Sequence, residues 1–221
     1  MRNSVFEQAN RDQAGRLGLD PSSVPGGIYH LLTSVVLPRP IAWVSTRSIS
    51  GVDNLAPHSF FTVASADPPI VQFTSVGTKD SLRNVVATGE FVVSICTESL
   101  VQQVNATAVP FSSDVSEFDA AGLTREASTV VAAARVAESP VSLECRLVDT
   151  KSFGASVVVF GQVVWVAVRP EVLREGRVDV TLLAPISRLG GSAYAPVRDV
   201  IDVPRLTVEE WQARTASAVD R

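Results

Sequence analysis

The residues that could carry chemistry are concentrated between positions 37 and 84 of this 221-residue chain. Apolar runs alternate there with Ser, Thr, Asn and Pro, and residues 54–65 include no acidic side chain, while Arg39, Lys79 and Arg83 flank that segment. Buried hydroxyls and amides need hydrogen-bond partners, which a ligand with many donors and acceptors would supply. The stretch predicts a site for a phosphate-bearing, largely apolar ligand. The alternative is a half-exposed strand with its polar residues in solvent.

A second feature is the run Thr78-Lys79-Asp80-Ser81, which directly precedes a predicted helix. Backbone N–H groups at a helix start, a lysine and two hydroxyls together can bind an anion. The alternative is an ordinary helix start in which Asp80 or Ser81 is the N-cap. The charge of Asp80 opposes a simple phosphate site, so we expect this carboxylate to pair with Lys79 or Arg83, or to cap the helix.

The chain has two histidines, His30 and His58, which argues against a metal centre built from several histidines, and we predict no metal site. His30 follows a turn, and we expect it to be a surface or structural residue. His58 lies among the polar residues of the central stretch, so it is either a structural histidine or a proton donor. The chain lacks a GxSxG elbow, a P-loop and a GxGxxG turn.

Composition indicates a single globular domain, with 46% hydrophobic and 19% charged residues. The net charge of −4 and the absence of a Lys/Arg run predict no nucleic-acid or membrane partner. Cys96 and Cys145 lie in apolar runs and are predicted to be reduced core thiols, although the sequence does not exclude a disulfide. We find no signal peptide and no run of about 18 apolar residues, so a cytoplasmic protein is expected.

The elements that must position these residues are mostly strands, because β-branched and aromatic residues form short runs between turn signals. Strands are predicted at Ile41–Thr46, Leu55–Ala64 (bent near Pro57), Ile70–Ser75, Phe91–Cys96, Val141–Asp149 and Ser156–Arg169. Helices are predicted at Ser81–Gly89, at Ser99–Ala108 and after Pro204, where Thr207 and Glu210 form a capping box. This pattern favours a mainly β barrel or sandwich with peripheral helices over a Rossmann sheet.

The ends of the chain read differently from its centre. Residues 1–28 are predicted to form an N-terminal arm with a loosely spaced helix that ends by Gly18, and residues 204–221 a C-terminal helix. Residues 29–203 form the predicted central domain. Residues 29–36 do not decide between a helical turn and a strand, and Gly161 is expected to mark a bulge or bend in its strand.

Seven segments resemble the flavin reductase-like, FMN-binding split-barrel family, and more narrowly its flavoredoxin and DIM6/NTAB-type branch of conserved flavoproteins. They are RPIAWVST (39–46), NLAPHSFF (54–61), DPPIVQFTS (67–75), KDSLRNV (79–85), GEFVVSI (89–95), ESPVSLEC (138–145) and RLGGSAY (188–194). They follow the family's order across roughly residues 29–195, outside the arm and the C-terminal helix. This branch often has an aromatic residue where His58 stands and Thr where Ser81 stands.

The resemblance implies an FMN-binding split β-barrel and a homodimer with the cofactor near its interface. Candidate FMN neighbours carried over from the motifs are Arg39, Ser45, Thr46, Asn54, Ala56, Pro57, His58, Ser59, Thr74, Ser75, Lys79, Ser81 and Asn84. Arg39 is a candidate for the phosphate charge and His58 a candidate catalytic residue. Arg188 and Tyr194 belong to a family motif without an assigned role.

The function expected from the resemblance is that of a flavoprotein oxidoreductase. The first hypothesis is an NAD(P)H-dependent flavin reductase that passes electrons to free flavin or to a partner monooxygenase. The second is an FMN enzyme that reduces or oxidises a small organic substrate, with His58 as proton donor. The third is an FMN electron carrier without turnover. The chain shows no nicotinamide-nucleotide motif, so NAD(P)H is an expectation from the family alone.

Overall fold

The computed structural model describes residues 10–219, in which strands dominate and helices lie at the periphery. This confirms the predicted mainly β fold. The helices are α1 (Tyr29–Val35), α2 (Asp80–Thr88), α3 (Val101–Ala106), α4 (Glu117–Ala120), α5 (Val180–Leu183) and α6 (Val208–Val219). Three short 3-10 turns lie at Pro21–Ser23, Glu98–Leu100 and Pro170–Val172.

Most strand residues belong to one sheet, and the remaining strands are short. The first strands are β1 (Asn10–Arg11), β2 (Leu17–Gly18), β3 (Arg39–Pro40), β4 (Ala42–Arg47), β5 (Asp53–His58), β6 (Phe61–Ser65), β7 (Ile70–Val76) and β8 (Glu90–Ile95). They are followed by β9 (Arg125–Glu126), β10 (Arg135–Val136), β11 (Val141–Phe153), β12 (Ser156–Val168), β13 (Leu173–Arg174), β14 (Arg177–Val178), β15 (Ile186–Arg188) and β16 (Tyr194–Pro196).

The main sheet has seven antiparallel strands in the order β5-β4-β8-β11-β12-β7-β6. Strands β5 and β6 are therefore its two edges, although only Ser59 and Phe60 separate them in the chain. So short a connection spans about 10 Å at most, and the sheet must curl until its edges meet. At this corner the His58 ring of β5 faces the Thr74 carbonyl of β7 at 3.4 Å. The sheet thus closes on itself as a barrel.

The predicted single strand Leu55–Ala64 is wrong, because the chain changes edges within it. Residues 53–58 pair with β4, and residues 61–65 pair with β7. The Leu55 N–H points away from β4 and donates to a side chain, so strand alternation places Pro57 on the same outward side. Pro57 therefore removes no ladder hydrogen bond, and the turn comes two residues later.

The apolar run at the start of β4 is continuous because both of its faces are buried. Ile41 and Trp43 pack with Phe118 in an outer cluster beneath α3 and α4, and Ala42 and Val44 pack inside the barrel. Cys96 lies in the outer cluster and Cys145 in the inner one, and both are free, buried thiols. Burial raises the pKa of both, to about 12 for Cys145, so neither is a ready nucleophile.

Gly161 lies in β12 at a position that faces the barrel interior. The sequence predicted a bulge or bend of the strand at this glycine. A Cβ atom at this position would lie 2.2 Å from Cζ of the buried Phe91 ring. The neighbouring strand carries a register shift between Leu147 and Asp149, directly opposite. The glycine therefore admits the ring to the core at the point where the hairpin bends.

We expect Gly161→Ala to lower the free energy of unfolding by about 1–3 kcal/mol, because the added methyl group must displace Phe91. Urea denaturation of the wild type, the single variants and the double variant Gly161→Ala/Phe91→Leu measures this effect. The smaller leucine should absorb the methyl group, so the double variant should lose less than the sum of the two single changes. Strict additivity would show that the ring contact is not the cause.

Other predicted elements differ in detail from the structure. The described part of the N-terminal arm, from Asn10, contains the β1–β2 hairpin and the 3-10 turn but no α-helix, because Asp12 accepts the N–H groups of Ala14 and Arg16 and holds a turn. The rest of the predicted arm lies outside the described residues. Residues 29–35 are helical, and residues 99–108 form a 3-10 turn and the shorter α3.

The predicted helix signals near Gly89 and Thr207 are confirmed. Gly89 ends α2 in the left-handed conformation, with φ of 74°. The Glu210 N–H donates to Oγ1 of Thr207 at 3.2 Å, and the Thr207 N–H donates to the Glu210 carboxylate at 2.8 Å, which is a capping box. Among residues 10–219, no helix has the length and apolar content to cross a membrane.

Candidate functional site

Three neighbouring pockets follow the outer edge of β5. We call them the hairpin pocket, bounded by Ser48, Ser50 and Asn84; the central pocket, bounded by Ala56, His58 and Lys79; and the arginine pocket, bounded by Arg39, Arg188, Tyr29 and Tyr194. Their volumes are about 190, 230 and 240 Å³. Asn54 lines both the hairpin and central pockets, and Pro57 lines both the central and arginine pockets, so the three are contiguous.

The inner wall of the central pocket contains a buried carboxylate that no sequence pattern indicated. Glu117, at the start of α4, is 6% exposed. Its two oxygens accept the Asn54 side-chain amide at 2.9 and 3.0 Å, and one of them accepts the Leu55 N–H at 2.9 Å. Desolvation raises the pKa of Glu117, and these hydrogen bonds oppose that rise. The carboxylate thus fixes the side chain and backbone of β5 at the pocket wall.

A chain of side-chain hydrogen bonds continues from Asn54 into the barrel. The Ser81 hydroxyl donates to Oδ1 of Asn54 at 3.0 Å, and the Thr46 hydroxyl faces the same atom at 3.4 Å. The Asn84 amide donates to Oγ1 of Thr46 at 3.0 Å. Four of the side chains that the sequence grouped as ligand neighbours, namely Thr46, Asn54, Ser81 and Asn84, are therefore bound to one another across β4, β5 and α2.

His58 lies at the inner end of this chain and is 6% exposed. Its Nδ1 faces the Thr74 carbonyl at 3.4 Å, and its Nε2 faces the Ser81 hydroxyl at 3.3 Å. Desolvation lowers the pKa of His58 to about 4, and the charge of Lys79 adds to that effect. The ring is therefore neutral at neutral pH. The Thr74 carbonyl can accept only from a proton on Nδ1, whereas the Ser81 hydroxyl, whose own proton goes to Asn54, can accept only from a proton on Nε2, so the two contacts require different tautomers of the neutral ring.

The start of α2 forms another wall of the central pocket. Its N-cap residue, Lys79, makes no side-chain capping bond, and no hydrogen bond from a first-turn N–H group to a side chain is seen within residues 10–219. Asp80 forms an ion pair with Arg83, as one of the sequence alternatives expected, and no carboxylate within residues 10–219 forms an ion pair with Lys79. The helix start can therefore bind an anion.

Ten of the thirteen predicted site residues line the three pockets or lie directly behind them. The central pocket collects Asn54, Ala56, Pro57, His58, Lys79 and Ser81, the hairpin pocket adds Asn84, and the arginine pocket adds Arg39 and Ser59. Thr46 is buried behind them in the hydrogen-bond chain.

The remaining three predicted residues, Ser45, Thr74 and Ser75, line none of these three pockets. Ser45 donates to the Ala134 carbonyl, and Ser75 donates to the Gly77 carbonyl at 2.8 Å. Thr74 contributes its backbone carbonyl to His58.

Arg39 has the surroundings of a structural cation. Its Nη1 donates to the carbonyls of Thr33 and Val36 at 2.6 and 2.8 Å, and its Nη2 donates to the Leu189 carbonyl at 2.8 Å. These bonds tie α1 to the loop that follows β15. Arg39 lies in the arginine pocket and does not line the pocket that contains Lys79.

The pockets together suit a ligand with an anionic end and a planar, partly apolar body. The helix start with Lys79 provides for the anion, and Pro57 and Phe111 provide apolar walls. Within residues 10–219, no group of three or more His, Cys, Asp and Glu side chains could hold a metal ion.

The chain belongs to the flavin reductase like domain family, whose model matches residues 34–184. This confirms the resemblance seen in the sequence. Nitrilotriacetate monooxygenase component B from Bacillus cereus superposes with a TM-score of 0.80 at 33% identity, covering 85% of this chain and 98% of that one. The 2-nitrobenzoate 2-nitroreductase NbaA of Pseudomonas fluorescens gives 0.76 at 32% identity, covering 81% and 91%.

A third structure, a protein with a split barrel domain from Shewanella frigidimarina, superposes with a TM-score of 0.75 at 23% identity, covering 80% of this chain and 91% of that one. The predicted split β-barrel is thus confirmed. The family and these neighbours support an oxidoreductase with a flavin.

Proposed function

We propose that this protein is an FMN-binding oxidoreductase that accepts electrons from NAD(P)H and passes them to free flavin or to a partner monooxygenase. The observation that carries the proposal is the central pocket, where the uncapped start of α2 and Lys79 lie beside β5 in a chain of the flavin reductase like family. The neighbouring structure of a monooxygenase component B supports the partner.

The residues present fit FMN. Lys79 and the N–H groups at the start of α2 would hold the phosphate, and Ser48 and Ser50 offer hydroxyls in the adjoining hairpin pocket. The edge of β5 offers acceptors for the N–H group of a flavin ring: the Leu55 N–H is taken by Glu117, and Pro57 has none, so carbonyls remain on that side. When bound, FMN would supply hydride acceptance and electron transfer.

The protein's own contribution in this proposal is position and exclusion of water. Glu117 holds Asn54, and Asn54 with Ser81 fixes the pocket wall. His58 supports the same wall from inside through the contacts of its ring with the Thr74 carbonyl and the Ser81 hydroxyl. A direct proton-donor role for His58 stays a prediction. Turnover that survives in His58→Phe would refute it, because phenylalanine has no proton to give.

We propose a homodimer as the working assembly. The surface of α1 and the residue after it exposes Tyr29, Leu32, Val35 and Val36, and contiguous exposed apolar groups of this kind mark contact surfaces. We also propose that residues 29–203 form the central domain, between the N-terminal arm and the C-terminal helix. A cytoplasmic location is proposed as well.

A second candidate is an FMN enzyme acting on a small organic molecule. The observation that favours it is the arginine pocket, which shares Pro57 and Ala108 with the central pocket and so places a second ligand site beside the proposed flavin site. The 2-nitrobenzoate 2-nitroreductase among the neighbours agrees with it. An electron carrier without turnover is the third form of the proposal.

The deciding experiment is an absorbance spectrum of the purified protein, a titration with FMN, and anaerobic addition of NADH and NADPH. We expect FMN binding and bleaching of the flavin band by one of the two nucleotides. Steady-state assays with free FMN or FAD as acceptor then separate the candidates: consumption of NAD(P)H supports the reductase. A protein that neither holds nor takes up FMN contradicts all three.

The chain has two lysines, which supply a matched pair of variants. We expect Lys79→Gln to weaken FMN binding roughly tenfold, because one charge-assisted contact to the phosphate is lost. Lys151→Gln, on the exposed end of β11, should bind FMN like the wild type. The two dissociation constants, measured by quenching of FMN fluorescence, test the phosphate position. Equal values would exclude Lys79 from it.

A further inference from the structure

We propose that the arginine pocket binds the carboxylate of a small aromatic acid, held by Arg39 and Arg188. This pocket adjoins the central pocket through Pro57 and Ala108. The role of such an acid as a substrate rests on the flavin function proposed above, whereas its binding rests on the arginine pocket alone.

The first argument is the buried charge of Arg39, whose side chain is among the least exposed of the pocket. The residue is 7% exposed, its three hydrogen bonds all go to backbone carbonyls, and its Nε–H has no acceptor. No carboxylate within residues 10–219 pairs with it. A buried cation is costly unless an anion compensates it, so the surroundings of Arg39 lack one negative charge.

The second argument is Arg188, which pairs directly with Arg39 across β15 and β3, so that both side chains leave the same face of this small sheet. Its guanidinium lies 4.5 Å from the centre of the Tyr194 ring, and its Nη2 donates to the Gly191 carbonyl at 2.6 Å. No carboxylate in the described part of the chain pairs with this arginine either. The Tyr194 ring and the Gly191 carbonyl hold the Arg188 guanidinium in place, while its other N–H donors stay available. A guanidinium binds carboxylates in a bidentate manner.

The third argument is the character of the remaining walls. No acidic residue lines the pocket, and Tyr29, Tyr194 and Pro57 provide flat apolar surfaces. Its volume of about 240 Å³ is below the range of roughly 300–1,000 Å³ that pockets for drug-sized ligands occupy. A single ring with a carboxylate matches both the walls and the size better than a dinucleotide or an inorganic anion.

The test is calorimetric titration of the full chain with benzoate, with its neutral analogue benzamide and with inorganic phosphate, in the presence and absence of FMN. We expect benzoate to bind at least tenfold more tightly than either comparison compound, because each lacks the charge or the ring. Arg188→Gln should weaken benzoate binding roughly tenfold or more, whereas Arg177→Gln, an exposed arginine of β14, should leave it unchanged.

Each outcome decides for or against the pocket. Equal binding of benzoate and benzamide, equal binding of benzoate and phosphate, or insensitivity to Arg188→Gln would overturn the inference. Thermal unfolding of both variants checks that they fold, and Arg188→Lys, which keeps the charge, should recover part of the affinity. FMN binding is measured separately by fluorescence. If benzoate binds through Arg188 and FMN does not bind, the proposed function fails while the pocket stands; the reverse result rejects the pocket alone.

Discussion

Glu117→Ala should lower the free energy of unfolding by about 3 kcal/mol and abolish tight FMN binding. The change leaves the Asn54 amide and the Leu55 N–H without an acceptor in a buried wall, and each unsatisfied group costs roughly 1–3 kcal/mol. Burial of the charged Glu117 carboxylate is itself unfavourable, and its removal offsets part of the cost of the two unsatisfied groups. The expected loss of stability therefore lies in the lower part of their summed cost. Urea denaturation and FMN fluorescence measure the two effects.

Two further variants test whether loss of the Glu117 acceptor causes these effects. Glu171→Ala, an exposed glutamate in a 3-10 turn, should leave both quantities unchanged. Glu117→Gln keeps one acceptor oxygen and should recover part of the stability.

Because burial raises the pKa of Glu117, the folded state holds the proton of this side chain more tightly than the unfolded state does. The stability that Glu117 contributes therefore falls as the pH rises above 4.5, the ordinary pKa of this group. The gap between wild type and Gln variant should therefore narrow as pH rises. Wild-type stability in Glu117→Ala would contradict the structural role.

Between pH 6.5 and 4, we expect His58 alone to cost the protein about 3 kcal/mol of stability. Its folded pKa of about 4 lies below its ordinary value of 6.5, so the unfolded chain binds a proton in this window and the folded chain does not. The contribution is present above pH 6.5 and is lost as pH falls through 4, at about 1.4 kcal/mol per pH unit.

His58→Phe removes this titration, and His30→Gln changes only the exposed histidine. Urea denaturation at intervals across the window should give a much smaller acid loss for His58→Phe than for the wild type, and an unchanged loss for His30→Gln. A His58→Phe protein with the full acid loss would show that the ring is not held neutral inside the barrel.

Much of the fold follows from local patterns in the sequence. The β-branched and aromatic residues of Ile41–Thr46 predicted strand β4, and Thr207 with Glu210 marked the start of α6. The break between β5 and β6 was hidden, because Leu55–Ala64 has strand character throughout and only the pairing partners change at Ser59. Strand partners depend on contacts between distant segments, which local propensity does not encode.

The site could be predicted only in part, again because contacts between distant segments are not encoded locally. The polar residues between Asn54 and Asn84 do lie together around α2 and β5, since the elements that carry them are neighbours in the sheet. Glu117 was missed because it lies 63 residues from Asn54 in a stretch that reads as a polar loop. Arg39 has the right charge for a phosphate, but its carbonyl partners come from α1 and from a loop 150 residues away.

The two-residue link between β5 and β6 also sets how this protein can vary. The link joins opposite edges of the sheet, so its length limits the circumference of the closed barrel. An added residue there would loosen the corner and displace His58 and Asn54 together. The turn of residues 48–52 joins neighbouring strands at the surface and carries no such constraint. Changes in ligand size among related chains should therefore accumulate in that turn and in the loops around Phe111 and Leu189, while the corner keeps its length.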